Sequence, residues 1–194
     1  MDIRTQAEKM KLDSSKMSAL TFEDRNKALI AIADAIMANK ENIIKANETD
    51  LEKAKEDGIA APILKRLKFN EDKINDVVKG IRDLIALPDP LGKIQMKREL
   101  DTDLLLIRES CPIGVIGVIF ESRPDAMVQI STLCIKSGNC AILKGGSEAM
   151  NTNKIVFDTI YNAAIEAGLP ENCMMQVEAR EEINELLACH ESVD

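Results

Sequence analysis

Two short segments carry the residue types best suited to chemistry. Glu121-Ser122-Arg123 offers a carboxylate, a hydroxyl and a guanidinium, with Pro124 placed to open a helix behind them. Lys144-Gly145-Gly146-Ser147-Glu148 offers an ammonium, a hydroxyl, a second carboxylate and two glycines that permit close backbone approach. Cations, hydroxyls and a helix N-terminus together suit a phosphate-bearing or nucleotide ligand. The same composition also describes an ordinary strand-to-helix turn. No G-x-G-x-x-G follows the first buried strand, and there is no P-loop. The five cysteines (Cys111, Cys134, Cys140, Cys173, Cys189) are odd in number and contain no C-x-x-C pair, and His190 is the one histidine. That pattern argues against a disulfide framework and a zinc site, and reads as small buried hydrophobes in a reducing compartment.

The pattern around these segments predicts the elements that hold them. Residues 1–90 read as helices: Thr21 with Asp24 makes a capping box, Gly58 stops a helix begun near Lys40, and another runs from about Asn70 to Pro88. Residues 92–100 and 103–109 read as two strands about an Asp101-Thr102 turn, polar at alternate positions. The apolar run 113–120 predicts a strand buried on both faces of a parallel sheet. A helix from Pro124, a strand 140–143, a helix 150–167 closed by Gly168, a strand 173–177, a helix 181–189 and a strand beginning at 192–194 follow. The second half is therefore an alternating α/β pattern, a partial doubly wound parallel sheet. In such a sheet both polar segments leave strand carboxyl ends, where ligands bind.

Composition bounds the function. The chain has 194 residues, 45% hydrophobic and 30% charged, enough for a packed core. A net charge of −8, with no Trp and few other aromatics, argues against nucleic acid as a partner. No apolar run is long enough for a membrane span, and the N-terminus carries no apolar signal region, so a cytoplasmic location is expected.

Three stretches resemble the gamma-glutamyl phosphate reductases (glutamate-5-semialdehyde dehydrogenases) of the aldehyde dehydrogenase superfamily. They are Pro112-Ile113-Gly114-Val115-Ile116-Gly117-Val118-Ile119-Phe120-Glu121-Ser122-Arg123-Pro124, Lys136-Ser137-Gly138-Asn139, and Leu143-Lys144-Gly145-Gly146-Ser147-Glu148-Ala149 with Asn153 beyond. Asn47, Asp50, Ala54, Gly58, Leu64-Lys65-Arg66-Leu67 and Asp89-Pro90-Leu91-Gly92 add to it; Lys65 stands where the family often has Asp. The resemblance runs over essentially the whole chain, and the ESRP and KGGSEA segments separate this family from ordinary aldehyde dehydrogenases.

The resemblance implies an aldehyde-dehydrogenase-like fold with helices and an oligomerisation-type hairpin in residues 1–110, then part of a cofactor-binding domain in residues 111–194. It implies NADPH-dependent reduction of gamma-glutamyl phosphate to glutamate-5-semialdehyde in proline biosynthesis, a homo-oligomer, and a functional link to glutamate 5-kinase. Family members are more than twice this length, and none of the five cysteines aligns with their nucleophile. The chain is thus expected to be an N-terminal portion, inactive alone. Phe120, Glu121, Ser122, Lys144, Gly145, Gly146 and Ser147 would bind the cofactor, and Arg123 the acyl phosphate or the pyrophosphate. Ser147 stands where NAD-preferring relatives carry a ribose-chelating glutamate, which favours NADPH. Ser122-Arg123 replaces the asparagine that relatives use in the oxyanion hole. The competing expectation is a non-catalytic nucleotide-binding or oligomerisation module that kept the fold.

Overall fold

The computed structural model describes residues 2–178 and 182–194. Five helices come first: α1 (Ile3–Ala19), α2 (Phe22–Ala38), α3 (Lys40–Glu56), α4 (Ala61–Leu67) and α5 (Glu71–Ala86). Local signals start and stop them. The predicted Thr21–Asp24 capping box forms at α2, Asn70 caps α5 by accepting from the Lys73 N–H, and Gly58 leaves α3 at φ +70°. α4, a single short segment opened by Pro62, is additional to the helices expected from the sequence.

The hairpin pairs β1 (Ile94–Asp101) with β2 (Leu104–Glu109) in antiparallel register. Its turn differs from the expected one. Asp101 still pairs with Leu104, and the turn falls on Thr102-Asp103, with Asp103 at φ +63°. A short polar side chain tolerates that left-handed conformation. Alternate burial is also absent: both faces are exposed, and Leu104, Leu105, Leu106 and Ile107 all stand in water.

Three parallel strands follow in the order β3-β4-β5: β3 (Val115–Ile119), β4 (Cys140–Lys144) and β5 (Met174–Gln176). The central β4 is buried along its whole length, which requires cover on both faces. Helices α6 (Pro124–Lys136) and α7 (Met150–Glu166) pack on each other and on α2 to form one layer; α1, with α8 (Glu182–Leu187), forms the other. One hydrophobic cluster, from Ile3 in α1 to Leu186 in α8, runs through all of them. The strand expected to be buried on both faces is not. Val115 is buried, but Ile119 is 55% exposed, because β3 lies at the margin of this sheet.

Residues 192–194 form no strand, although the Asp194 N–H donates to the Val115 carbonyl (2.9 Å) along β3's outer side. The predicted last helix is observed as α8; Glu181, its expected first residue, lies outside the described residues.

Candidate cofactor and phosphate site

Parallel pairing decides where the two polar segments meet. In the β3–β4 register Ile119 is opposite Lys144, and the next amide, Phe120 N–H, donates to the Lys144 carbonyl at 2.9 Å. Both loops therefore leave adjacent carboxyl ends at the same edge of the sheet, the position at which such sheets bind ligands. The side chains bind one to the other there. The buried Ser122 hydroxyl donates to Glu148 Oε2 at 2.5 Å. That bond, the residue's own backbone N–H and the nearby Lys144 ammonium hold the Glu148 carboxyl below its ordinary range, against partial burial.

The glycines serve close approach. A Cβ on Gly146 would lie 2.5 Å from Ser122 Oγ and 3.0 Å from the Ser122 backbone nitrogen. One on Gly145 would collide with the Asn153 side-chain amide and meet the Phe120 ring at 3.1 Å. Any larger residue would push the two loops apart.

The helical region supports the loop from behind. Asp50, a buried residue of α3, accepts from the Thr152 N–H (2.8 Å) and hydroxyl (2.6 Å) and from the Asn151 N–H (3.2 Å) and side-chain amide (2.8 Å). A carboxylate thus caps α7 from another helix, where the Ala149 N-cap has no side-chain acceptor. The first turn of α7 is thereby neutralised internally. One turn earlier on α3, Asn47 donates to the Leu67 carbonyl (2.9 Å) and accepts from the Phe69 N–H (2.7 Å), which pins the end of α4. From α4, Arg66 reaches Glu121 at 2.7 Å. A cavity of about 290 Å³ lies between, lined by Ile63, Arg66, Glu121, Ser122, Gly146 and Glu148.

A family model, that of the aldehyde dehydrogenase family, matches residues 1–194. The chain belongs to the aldehyde dehydrogenase family. Among curated relatives of this family, it is 52% identical over 194 residues to a gamma-glutamyl phosphate reductase of Ruminiclostridium cellulolyticum, covering all of this chain and 45% of the relative. A gamma-glutamyl phosphate reductase of Acetivibrio thermocellus is 51% identical with the same coverage. Among solved structures, gamma-glutamyl phosphate reductases of Thermotoga maritima (32% identity) and Saccharomyces cerevisiae (37%) each superpose with a TM-score of 0.94 over the whole chain, which covers 47% and 50% of them. The chain thus spans about half the length of the relatives it matches.

Within this aldehyde dehydrogenase chain the expected residues separate into two groups. Phe120, Ser122, Gly145 and Gly146 pack together at the loop junction. Lys144 is buried, its ammonium donating to the Gly145 carbonyl at 2.7 Å. Ser147 is exposed and opens a short 3-10 turn, Ser147–Ala149. Arg123 is half-exposed at the start of α6, and its guanidinium pairs with Asp125 two residues on (3.0 Å).

Glu148, Arg66 and Asp50 join the site although the sequence reading gave them no separate role. Asn47 and Asp50, one helical turn apart, were the signal for the support behind the loop. Nothing local marks Arg66, because its partner is 55 residues away.

The described cysteines show no activated thiol at the loops. Burial pushes Cys134 up to about 11 and Cys140 and Cys173 to about 12. Cys189 is also buried, and Cys111 is exposed. A second cavity, about 410 Å³, runs between α5 and α6 from Asp125 past Val77, Ile81, Leu84 and Val128. Its largely apolar walls distinguish it from the cavity at the loops, where charged and polar side chains share the lining with Ile63 and Gly146.

Proposed function

We propose that this chain is the nucleotide-binding part of an NADPH-dependent gamma-glutamyl phosphate reductase, acting in proline biosynthesis. The observation that carries the reading is the junction of the two loops at adjacent strand ends, in a chain half identical to reductases of that name. The cavity beside the junction is lined by Arg66, Glu121, Ser122 and Glu148 together with Ile63 and Gly146, and is at the small end of ligand pockets, the scale of a sugar phosphate rather than a whole dinucleotide. It would take one ribose of the cofactor against Ser122, Gly146 and Glu148, with Ser147 at the mouth of the loop. NADPH supplies the hydride when bound.

In this reading the chain's own residues bind and orient. The Ser122–Glu148 bond fixes the two loops against each other, Asp50 holds the start of α7, and the loop glycines keep the backbone close. The thiol nucleophile belongs to the part of the relatives this chain does not span, and the chain alone has no reductase activity. The exposed leucines of β2 meet a second copy in a homo-oligomer. In the cell the protein works in the cytoplasm beside the glutamate 5-kinase that supplies its acyl phosphate.

The test is a graft. The chain replaces the matching 45% of the Ruminiclostridium cellulolyticum relative, and the purified chimera is assayed with gamma-glutamyl phosphate and each nicotinamide cofactor. Turnover with NADPH preferred over NADH is expected. A folded chimera that prefers NADH, or shows no turnover, counts against the reading.

A further inference from the structure

We infer that Arg66, carried by α4, reads a ribose phosphate in the cavity between α4 and the two loops, as the group that discriminates a 2′-phosphorylated nucleotide. The inference rests on the nucleotide-binding reading above and goes further, by naming a recognition residue outside both loops.

Among the described residues three cations approach this edge of the sheet, all engaged, and two of them are held by partners that are at least partly buried. Lys144 turns back onto the Gly145 carbonyl, and Arg123 pairs with Asp125 on its own helix. Arg66 differs. Its guanidinium lines the cavity, half-exposed, and its ion-pair partner Glu121 has a side chain 77% exposed. An exposed pair of this kind is worth little, so an incoming dianion displaces Glu121 into water at small cost. The planar fork of Arg66 then meets two phosphate oxygens at once, which a lysine in its place would not.

The far wall carries complementary chemistry. Glu148 Oε2 is occupied by Ser122, but the carboxylate is an acceptor with capacity for further donors, such as a ribose hydroxyl. A cation on one side with a carboxylate acceptor and a bare Gly146 on the other suits a sugar phosphate better than free phosphate, which offers few donors at neutral pH. The cation is also carried on a fixed element. Leu67, the next residue, is fully buried against Ala54 and Ala149, and its carbonyl is held by Asn47, which also donates to the Thr152 hydroxyl at 3.2 Å. Through that contact α4 is registered to the start of α7, and Arg66 to Gly146.

The experiment titrates the 194-residue chain with adenosine 2′,5′-bisphosphate and with adenosine 5′-phosphate, by calorimetry at low salt. Wild type is expected to bind the bisphosphate about tenfold tighter or better, the scale of one charge-assisted fork. Arg66→Ala removes that preference, Arg66→Lys keeps only a small part of it, and Glu121→Gln tightens the bisphosphate severalfold by freeing the guanidinium. Affinity for adenosine 5′-phosphate stays unchanged in the Arg66 variants, and circular dichroism confirms their fold. A preference that survives Arg66→Ala overturns the inference while leaving the nucleotide reading intact. Equal binding of both ligands by wild type overturns the inference and the NADPH preference. Binding of neither overturns the inference and the nucleotide reading together.

Discussion

The Ser122 hydroxyl and the Glu148 carboxylate lie 2.5 Å apart, and their hydrogen bond joins the loop after β3 to the loop after β4. A bond to a charged acceptor, with its donor buried, contributes more than a neutral one. Ser122→Ala should cost about 1–2 kcal/mol in urea unfolding at neutral pH. The loss should depend on pH. The folded pKa of Glu148 is depressed, so the bond's contribution is present above its unfolded value, near pH ~4.3, and is lost as pH falls through the lower folded value. Wild type and Ser122→Ala should therefore converge in stability on acidification below pH 4. A gap that persists there would locate the effect in packing and not in the charged bond.

Ser147 is exposed at the first position of a 3-10 turn, so a larger side chain fits without repacking. Ser147→Glu in the chimera should shift cofactor preference from NADPH towards NADH. A carboxylate facing a 2′-phosphate should cost on the order of 1–3 kcal/mol. The ratio of kcat/KM for the two cofactors measures it, and an unchanged ratio removes Ser147 from the ribose site.

Asp50 accepts four hydrogen bonds at the start of α7 while buried in α3. Asp50→Ala leaves those donors without an acceptor and should cost about 3 kcal/mol or more in global stability. Asp50→Asn, which keeps one oxygen acceptor, should cost less. Thermal unfolding of the two variants beside wild type gives the comparison, and equal costs would mean that the cap is not the source.

The thiols should divide by exposure. With pKa values of about 11 to 12, Cys134, Cys140 and Cys173 are ionised to roughly one part in a thousand or less at pH 8, and burial also blocks access. Titration of the native chain with an aromatic disulfide should show Cys111 reacting fast and the buried four only on denaturation. Fast reaction of several thiols would indicate that the sheet opens easily.

Leu104 and Leu106 stand two residues apart on β2, so they share one face of the hairpin, and both are about half-exposed. The chain should self-associate through them. Leu104→Lys with Leu106→Lys should lower the mass seen by light scattering to that of one chain, with the unfolding midpoint little changed. A wild-type chain that already runs as a monomer would remove this surface from the assembly.

Local order was written in the sequence because its causes are local. The Thr21 box, the Asn70 cap, Gly58 and Gly168 each act within a few residues, so most helix limits could be read directly. The alternation of strand and helix after residue 110 placed both loops at one sheet edge, since parallel pairing leaves them no other side. Tertiary structure decided what no local spacing encodes. Whether the run at 113–120 is buried depends on how many strands flank β3, and the hairpin turn depends on which residue accepts a left-handed backbone. Arg66 meets Glu121 across 55 residues, and Asp50 meets Thr152 across 102. Those pairs arise because the packing of α3 and α4 against the start of α7 brings distant charges together, and that packing is set by the shared apolar core, not by the charges themselves.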